Sequence, residues 1–251
     1  MALGALAGGL TLALGGAVAG LTANLVSYSV AVVLYMGIRV QDEAQSESRK
    51  TRGGLVDGLR YVLAQRALAV VVGGFALATL AAGLVNATLP KFTSSLGLGA
   101  GGYGWAMAAL ACGMIAGEAL TGAIAETIDP RWLGIGLAAM GALFFVFAWS
   151  SVAVIALPLL VLFGVANGFT EVVMMTAIHQ HADAGYQGRV FGVGSTIWRT
   201  TMLGAVALAP AVDAVASPAQ AITVAALVLF AGAILVLVAL RPASQPAPAT
   251  A

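Results

Sequence analysis

The stretch ALAVVVGGFALATLAAGLVNATLP, residues 67–90, contains no Asp, Glu, Lys or Arg. At 1.5 Å per residue it makes a helix of about 36 Å, enough to cross a hydrocarbon core of about 30 Å. Its apolar residues continue around every face, without the single stripe of a helix on a soluble core. Arg66 and Lys91 close it at its two ends. Working outward, six further stretches share this character or come near it: 17–38, 102–124, 132–149, 152–176, 190–212 and 218–240. Each is bounded by charge, proline or a glycine cluster.

The whole composition agrees. Of 251 residues, 61% are hydrophobic and 8% are charged, and mean hydropathy is +1.00. Soluble domains carry roughly 25% charged residues, because they must keep a polar surface in water. This is an all-α integral membrane chain. A net charge of +1 excludes a nucleic-acid binder. The single cysteine, Cys112, excludes a disulfide framework and a CxxC pair, and reads as a small core residue. No cofactor motif, HExxH or GxSxG is present, and there is no intramembrane Asp pair, so an enzyme is not indicated. His179 and His181 lack Asp or Cys at ligand spacing, so no metal is expected. The 32 glycines include the small-xxx-small pairs Gly113/Gly117 and Gly164/Gly168, a spacing that lets helix backbones approach closely in lipid.

Charge sets an orientation. With 39–66 in the cytoplasm, Arg39, Arg49, Lys50, Arg52, Arg60, Arg66, Arg131, Arg189 and Arg241 all fall inside. Lys91 falls outside and Arg199 lies within a span, so the C-terminus is expected in the cytoplasm of a cell that carries the protein in its plasma membrane. Trp105, Trp132 and Trp149 sit at span ends, as interfacial anchors do. Within the linker 39–66, residues 41–52 are polar, whereas 55–67 (LVDGLRYVLAQRA) place Leu55, Leu59, Val62 and Leu63 opposite Asp57, Arg60 and Arg66. That pattern predicts an amphipathic helix on the inner membrane surface. The tail 241–251, rich in Pro and Ala, is expected to be disordered. The opening ALGALAGGLTLAL (2–14) is too short to span at about 20 Å. With no Lys or Arg before Arg39 it is not a secretory leader, and it reads as the trailing end of a helix that starts upstream, turning at Gly15–Gly16 into span 17–38.

Several segments together resemble the major facilitator superfamily, near its drug- and metabolite-exporter branches. Gly58-Leu59-Arg60-Tyr61-Val62 is similar to the surface helix before the family's seventh span, and GVANGFTEVVMMTAIHQ (164–180) to its tenth. Gly188-Arg189-Val190 resembles the signature opening the eleventh span, and MLGAVALAPAVD (202–213) the rest of it. Gly122-Ala123-Ile124-Ala125-Glu126 with Arg131 resembles the inner-loop motif, and LGALAGGL (3–10) the end of the exporter motif in the fifth span. The resemblance implies a helical bundle of two six-helix halves built from inverted repeats. On that frame 1–38 is the end of the N-terminal half (one and a half helices), 39–66 the linker and 67–240 the six-span C-terminal half. It further implies efflux of a small amphiphilic compound by alternating access, as an antiporter with the proton as coupling ion. The alternative is a truncated or half-transporter, inactive alone, that needs an N-terminal partner half or a second copy.

Ionisable groups within spans cost about 2.5–3.5 kcal/mol by insertion scales and are functional candidates by default. Glu118, Glu171 and Arg199 are the three here. Two glutamates at matching depth, with an arginine in reach, suggest a charge pair or proton relay; the competing reading has both glutamates facing water and Arg199 snorkelling. Asn167, Thr170 and Thr176 are candidates to line a cavity beside Glu171, and Trp198 to stack on substrate or pack on a neighbouring helix.

Overall fold

The computed structural model describes residues 2–37, 54–98, 101–124 and 129–241. The polar linker residues 41–52, Glu126 of the inner-loop motif and the tail beyond Arg241 lie outside the described residues. Among the described residues the chain is helical: α1 (Ala2–Met36), α2 (Leu55–Ala64), α3 (Arg66–Ser95), α4 (Gly102–Gly122), α5 (Trp132–Ala148), α6 (Ala153–His181), α7 (Gln187–Val215) and α8 (Pro218–Ala239). Helices are the form an apolar chain must take in lipid, where no water can satisfy a free N–H or C=O. The hydroxyls obey the same constraint. Thr79, Thr88, Thr121 and Thr170 are buried, and each donates to a carbonyl three or four residues earlier at 2.6–3.0 Å.

Among the described residues, five helices are long and apolar enough to cross a membrane: the Val18–Met36 part of α1, and α3, α4, α6 and α8. The other two of the seven stretches come near that description. α5 is apolar but has 17 residues. α7 falls short in hydropathy because its first half carries Ser195, Thr196, Arg199, Thr200 and Thr201. The expected break at Gly15–Gly16 is absent, since α1 runs unbroken from Ala2 to Met36. Each helical glycine costs about 1 kcal/mol relative to alanine, less than leaving a turn's backbone groups unpaired among apolar neighbours. Pro90 also fails to end its helix: Thr93 and Ser94 donate to its carbonyl at 3.0 and 2.9 Å, and α3 continues to Ser95. A capping box starts α8, with Ser217 Oγ accepting from the Gln220 N–H and Gln220 Oε1 from the Ser217 N–H.

The helices α3 to α8 form one bundle around Leu68, Leu133, Leu137, Met140, Ile222 and Leu229, all fully buried. The closest approach joins α4 and α6, which run in the same direction. A Cβ added at Gly113 would overlap the Val161 carbonyl oxygen, one at Gly117 that of Val165, one at Gly164 that of Leu110, and one at Gly168 that of Met114. Both glycine pairs noted in the sequence thus face each other across one seam. Cys112, one residue before that seam, is exposed and not in the core, because the seam's glycines occupy the inward face of α4.

α2 has three faces. Gly58 and Val62 are buried against the bundle, Leu55, Val56, Leu59 and Leu63 are exposed, and Asp57 and Arg60 lie on the remaining arc. Val62 therefore leaves the exposed apolar face on which its spacing placed it. The reason is Gly58, whose missing side chain lets that arc sit directly on Arg189 and Val193 of α7.

Candidate functional site

α3, α4, α6 and α7, with Phe144 of α5, line a cavity of about 490 Å³. Phe75 and Asn86 come from α3, Met107 and Met114 from α4, Asn167 and Glu171 from α6, and Trp198 and Met202 from α7. The helical period does the placing: Phe163, Asn167 and Glu171 are four apart and share one face of α6. Phe163 stacks on Phe144 of α5, which also lines the cavity, with centroids 3.8 Å apart and planes at 7°. The walls are apolar and aromatic, with a few polar groups turned inward, as in small-molecule sites generally.

Those polar groups differ in availability. Thr170 lines the cavity, but its hydroxyl already donates to the Ala166 carbonyl at 2.7 Å and lies 3.5 Å from Met140 Sδ. The Asn86 and Asn167 amides form no hydrogen bond among the described residues. They can therefore bind a ligand without first breaking a bond. Glu171 is the one ionisable side chain lining the cavity. Gly168, one turn before it, packs against the Glu118 backbone across the α4–α6 seam. No group of three or more potential metal ligands occurs among the described residues.

Long apolar helices packed around an apolar cavity with a few polar groups turned inward describe a transporter architecture, and comparison with known families decides which. The model of the Major Facilitator Superfamily matches residues 1–205 and again 71–251, together the whole chain. The chain belongs to the Major Facilitator Superfamily. It is accordingly a multi-pass membrane transporter that works in a lipid bilayer on a small-molecule substrate. No curated protein and no solved structure matches it.

In this superfamily member, Asn167, Glu171 and Trp198 come together at the cavity, while Glu118, whose backbone packs on Gly168, lies outside its lining. Arg199 does not join them. It is exposed on α7 and makes no ion pair among the described residues, because the turn of α7 that aims Trp198 at the cavity aims its neighbour away. The Glu–Arg charge pair expected from matching depth is therefore not formed. Trp105 and Trp149 are exposed at the far end from α2, and Trp132 at the α2 end.

In the inner-loop motif, Gly122 ends α4 in open space. Arg131 forms a forked pair with Asp129, its Nη2 2.6 Å from Oδ2 and its Nε 3.0 Å from both carboxylate oxygens. Those hydrogen bonds hold the Asp129 carboxyl below its usual range and raise Arg131 above its own. In the helix-start signature, Gly188 is exposed with nothing near it, whereas Arg189 packs under Gly58 and over the Tyr186 ring at 4.9 Å. Sequence reasoning missed Asn86, Phe75 and the three methionines of the cavity. The one available signal was an asparagine inside an otherwise apolar span.

Proposed function

We propose that the chain is a secondary transporter that exports a small amphiphilic compound in exchange for protons, by alternating access. The observation that carries this reading is Glu171, an ionisable side chain inside a span and facing a cavity of apolar, aromatic and free amide groups. Aromatic and methionine walls suit an apolar body, while the Asn86 and Asn167 amides suit a polar end. An ionised carboxylate inside a span is costly, and a proton on it removes that cost. Glu171 then exchanges its proton with whichever side the cavity opens to, so substrate and proton compete for one site. In this orientation the α2 end faces the cytoplasm of a plasma-membrane protein, as the charge distribution of the loops supports. The test is Glu171→Gln, which keeps the shape and removes the titration. It should abolish proton-driven efflux of the amphiphilic probe ethidium, and undiminished efflux would remove Glu171 from the mechanism.

A second reading draws on the exposed charges. Glu118, Glu171 and Arg199 are all exposed at membrane depth, which lipid would penalise. A second bundle laid over that face, from a partner half or a second copy, would cover them, and this chain alone would then bind without transporting. Purified chain that binds ethidium but moves none in vesicles supports this reading; transport by the purified chain alone overturns it.

A further inference from the structure

The turn between α6 and α7 lies against α2, and one side chain joins them twice. The Tyr61 hydroxyl donates to Asp183 Oδ2 and accepts from the Asp183 N–H, each at 3.0 Å. Its ring stacks on Tyr186, with centroids 4.0 Å apart and planes at 8°. One turn away, Gly58 sits so close to α7 that a Cβ there would lie 3.0 Å from Arg189 Cβ and 3.1 Å from the Arg189 carbonyl oxygen.

Asp183 is the node of this arrangement. Its carbonyl accepts from the N–H groups of Tyr186 and Gln187 at 2.8 and 3.1 Å and so starts α7, while its N–H and carboxylate are given to Tyr61. The Gln187 side chain reaches back to the Ala182 carbonyl at the end of α6. Beyond the turn, α6 and α7 scarcely touch each other, because the cavity lies between them. At this end their spacing is set by the turn itself, by the His179–Phe191 ring contact with centroids 5.3 Å apart, and by the packing of α2 on the turn.

We infer that Tyr61 and Asp183 are positioning residues that clasp α2 to the α6–α7 turn and fix how far the cavity-lining helices part at that end. The inference rests on the cavity being the transport path, yet its test reads geometry and access directly. Spin labels go on Ala64→Cys and Ala184→Cys, both exposed positions, in the Cys112→Ala chain in lipid nanodiscs. Tyr61→Phe keeps the stack and loses both hydrogen bonds. It and Asp183→Ala should weaken the dipolar broadening between the labels, whereas Asp183→Asn, which still accepts, should restore it. In parallel, the reaction of Asn167→Cys with a hydrophilic maleimide should quicken severalfold in Tyr61→Phe and Asp183→Ala, and return to the parent rate in Asp183→Asn. Unchanged broadening and unchanged maleimide rates in both Tyr61→Phe and Asp183→Ala would overturn the clasp. Proton-driven efflux persisting in Glu171→Gln would instead remove the mechanism proposed above and leave these two readouts intact.

Discussion

Replacing Gly113 by alanine probes the contact that holds α4 to α6. The added methyl would meet the Val161 carbonyl oxygen inside van der Waals distance and come within 2.9 Å of Gly164 Cα. Both are backbone atoms of a long helix, so neither can rotate aside and the helices must part. Overpacking of this kind costs about 1–3 kcal/mol, and unyielding backbone places it near 3. Alanine returns about 1 kcal/mol of helix propensity, leaving a net loss of about 2 kcal/mol, or roughly 30-fold in the folding equilibrium. Gly73 on α3 is the internal control, because no atom lies within 4 Å of a Cβ built there. Gly73→Ala should be neutral or stabilising by up to about 1 kcal/mol. The assay is thermal unfolding in mild detergent, where about 2 kcal/mol should lower the midpoint by about 4–8 °C. Gly113→Ala with Gly164→Ala should cost less than the sum of the two, since one separation relieves both overlaps. A Gly113→Ala protein that melts with Gly73→Ala would refute the glycine seam.

Two further outcomes follow from the α2 end. A leucine at Gly58 cannot fit against the Arg189 carbonyl, so Gly58→Leu should lift α2 and speed tryptic cleavage at Arg60 and Arg66 severalfold; an unchanged rate would place α2 elsewhere. Asp129 is held below its usual carboxyl range by Arg131, so its stabilising contribution is present above the ordinary value of about 3.9 and fades as pH falls through the lowered one. Asp129→Asn should thus be slightly less stable than the parent at neutral pH and converge with it in acid. Because Asn still accepts the Arg131 N–H bond of 2.8 Å, Asp129→Ala should lose more than Asp129→Asn. Parallel pH curves for parent and Asp129→Asn would show the pair to be idle.

The spans were legible because length and lack of charge are local properties, and lipid leaves few alternatives to helix. The glycine seam was legible for the same reason: Gly113/Gly117 and Gly164/Gly168 announce close approach wherever they occur, although only the fold shows that they meet each other. The cavity was half legible. Asn167, Glu171 and Trp198 stand out as polar or aromatic groups in apolar helices, but Met107, Met114 and Met202 look like any other core residues. The Arg199 pairing failed because depth along a helix is readable from spacing, whereas its rotation about the axis is decided by packing partners. Tyr61 and Asp183 are 122 residues apart, and nothing local in either segment marks them as partners. Gly15–Gly16 misled because two glycines permit a turn without requiring one.

We propose that Glu171 carries the proton that drives export through the cavity between α3, α4, α6 and α7. That role is tested most directly by proton flux in inverted membrane vesicles from the native host, carrying either the parent or the Glu171→Gln allele. With a pH gradient imposed, adding ethidium should collapse the gradient in parent vesicles and leave it standing in Glu171→Gln vesicles. Equal collapse in both would contradict the claim.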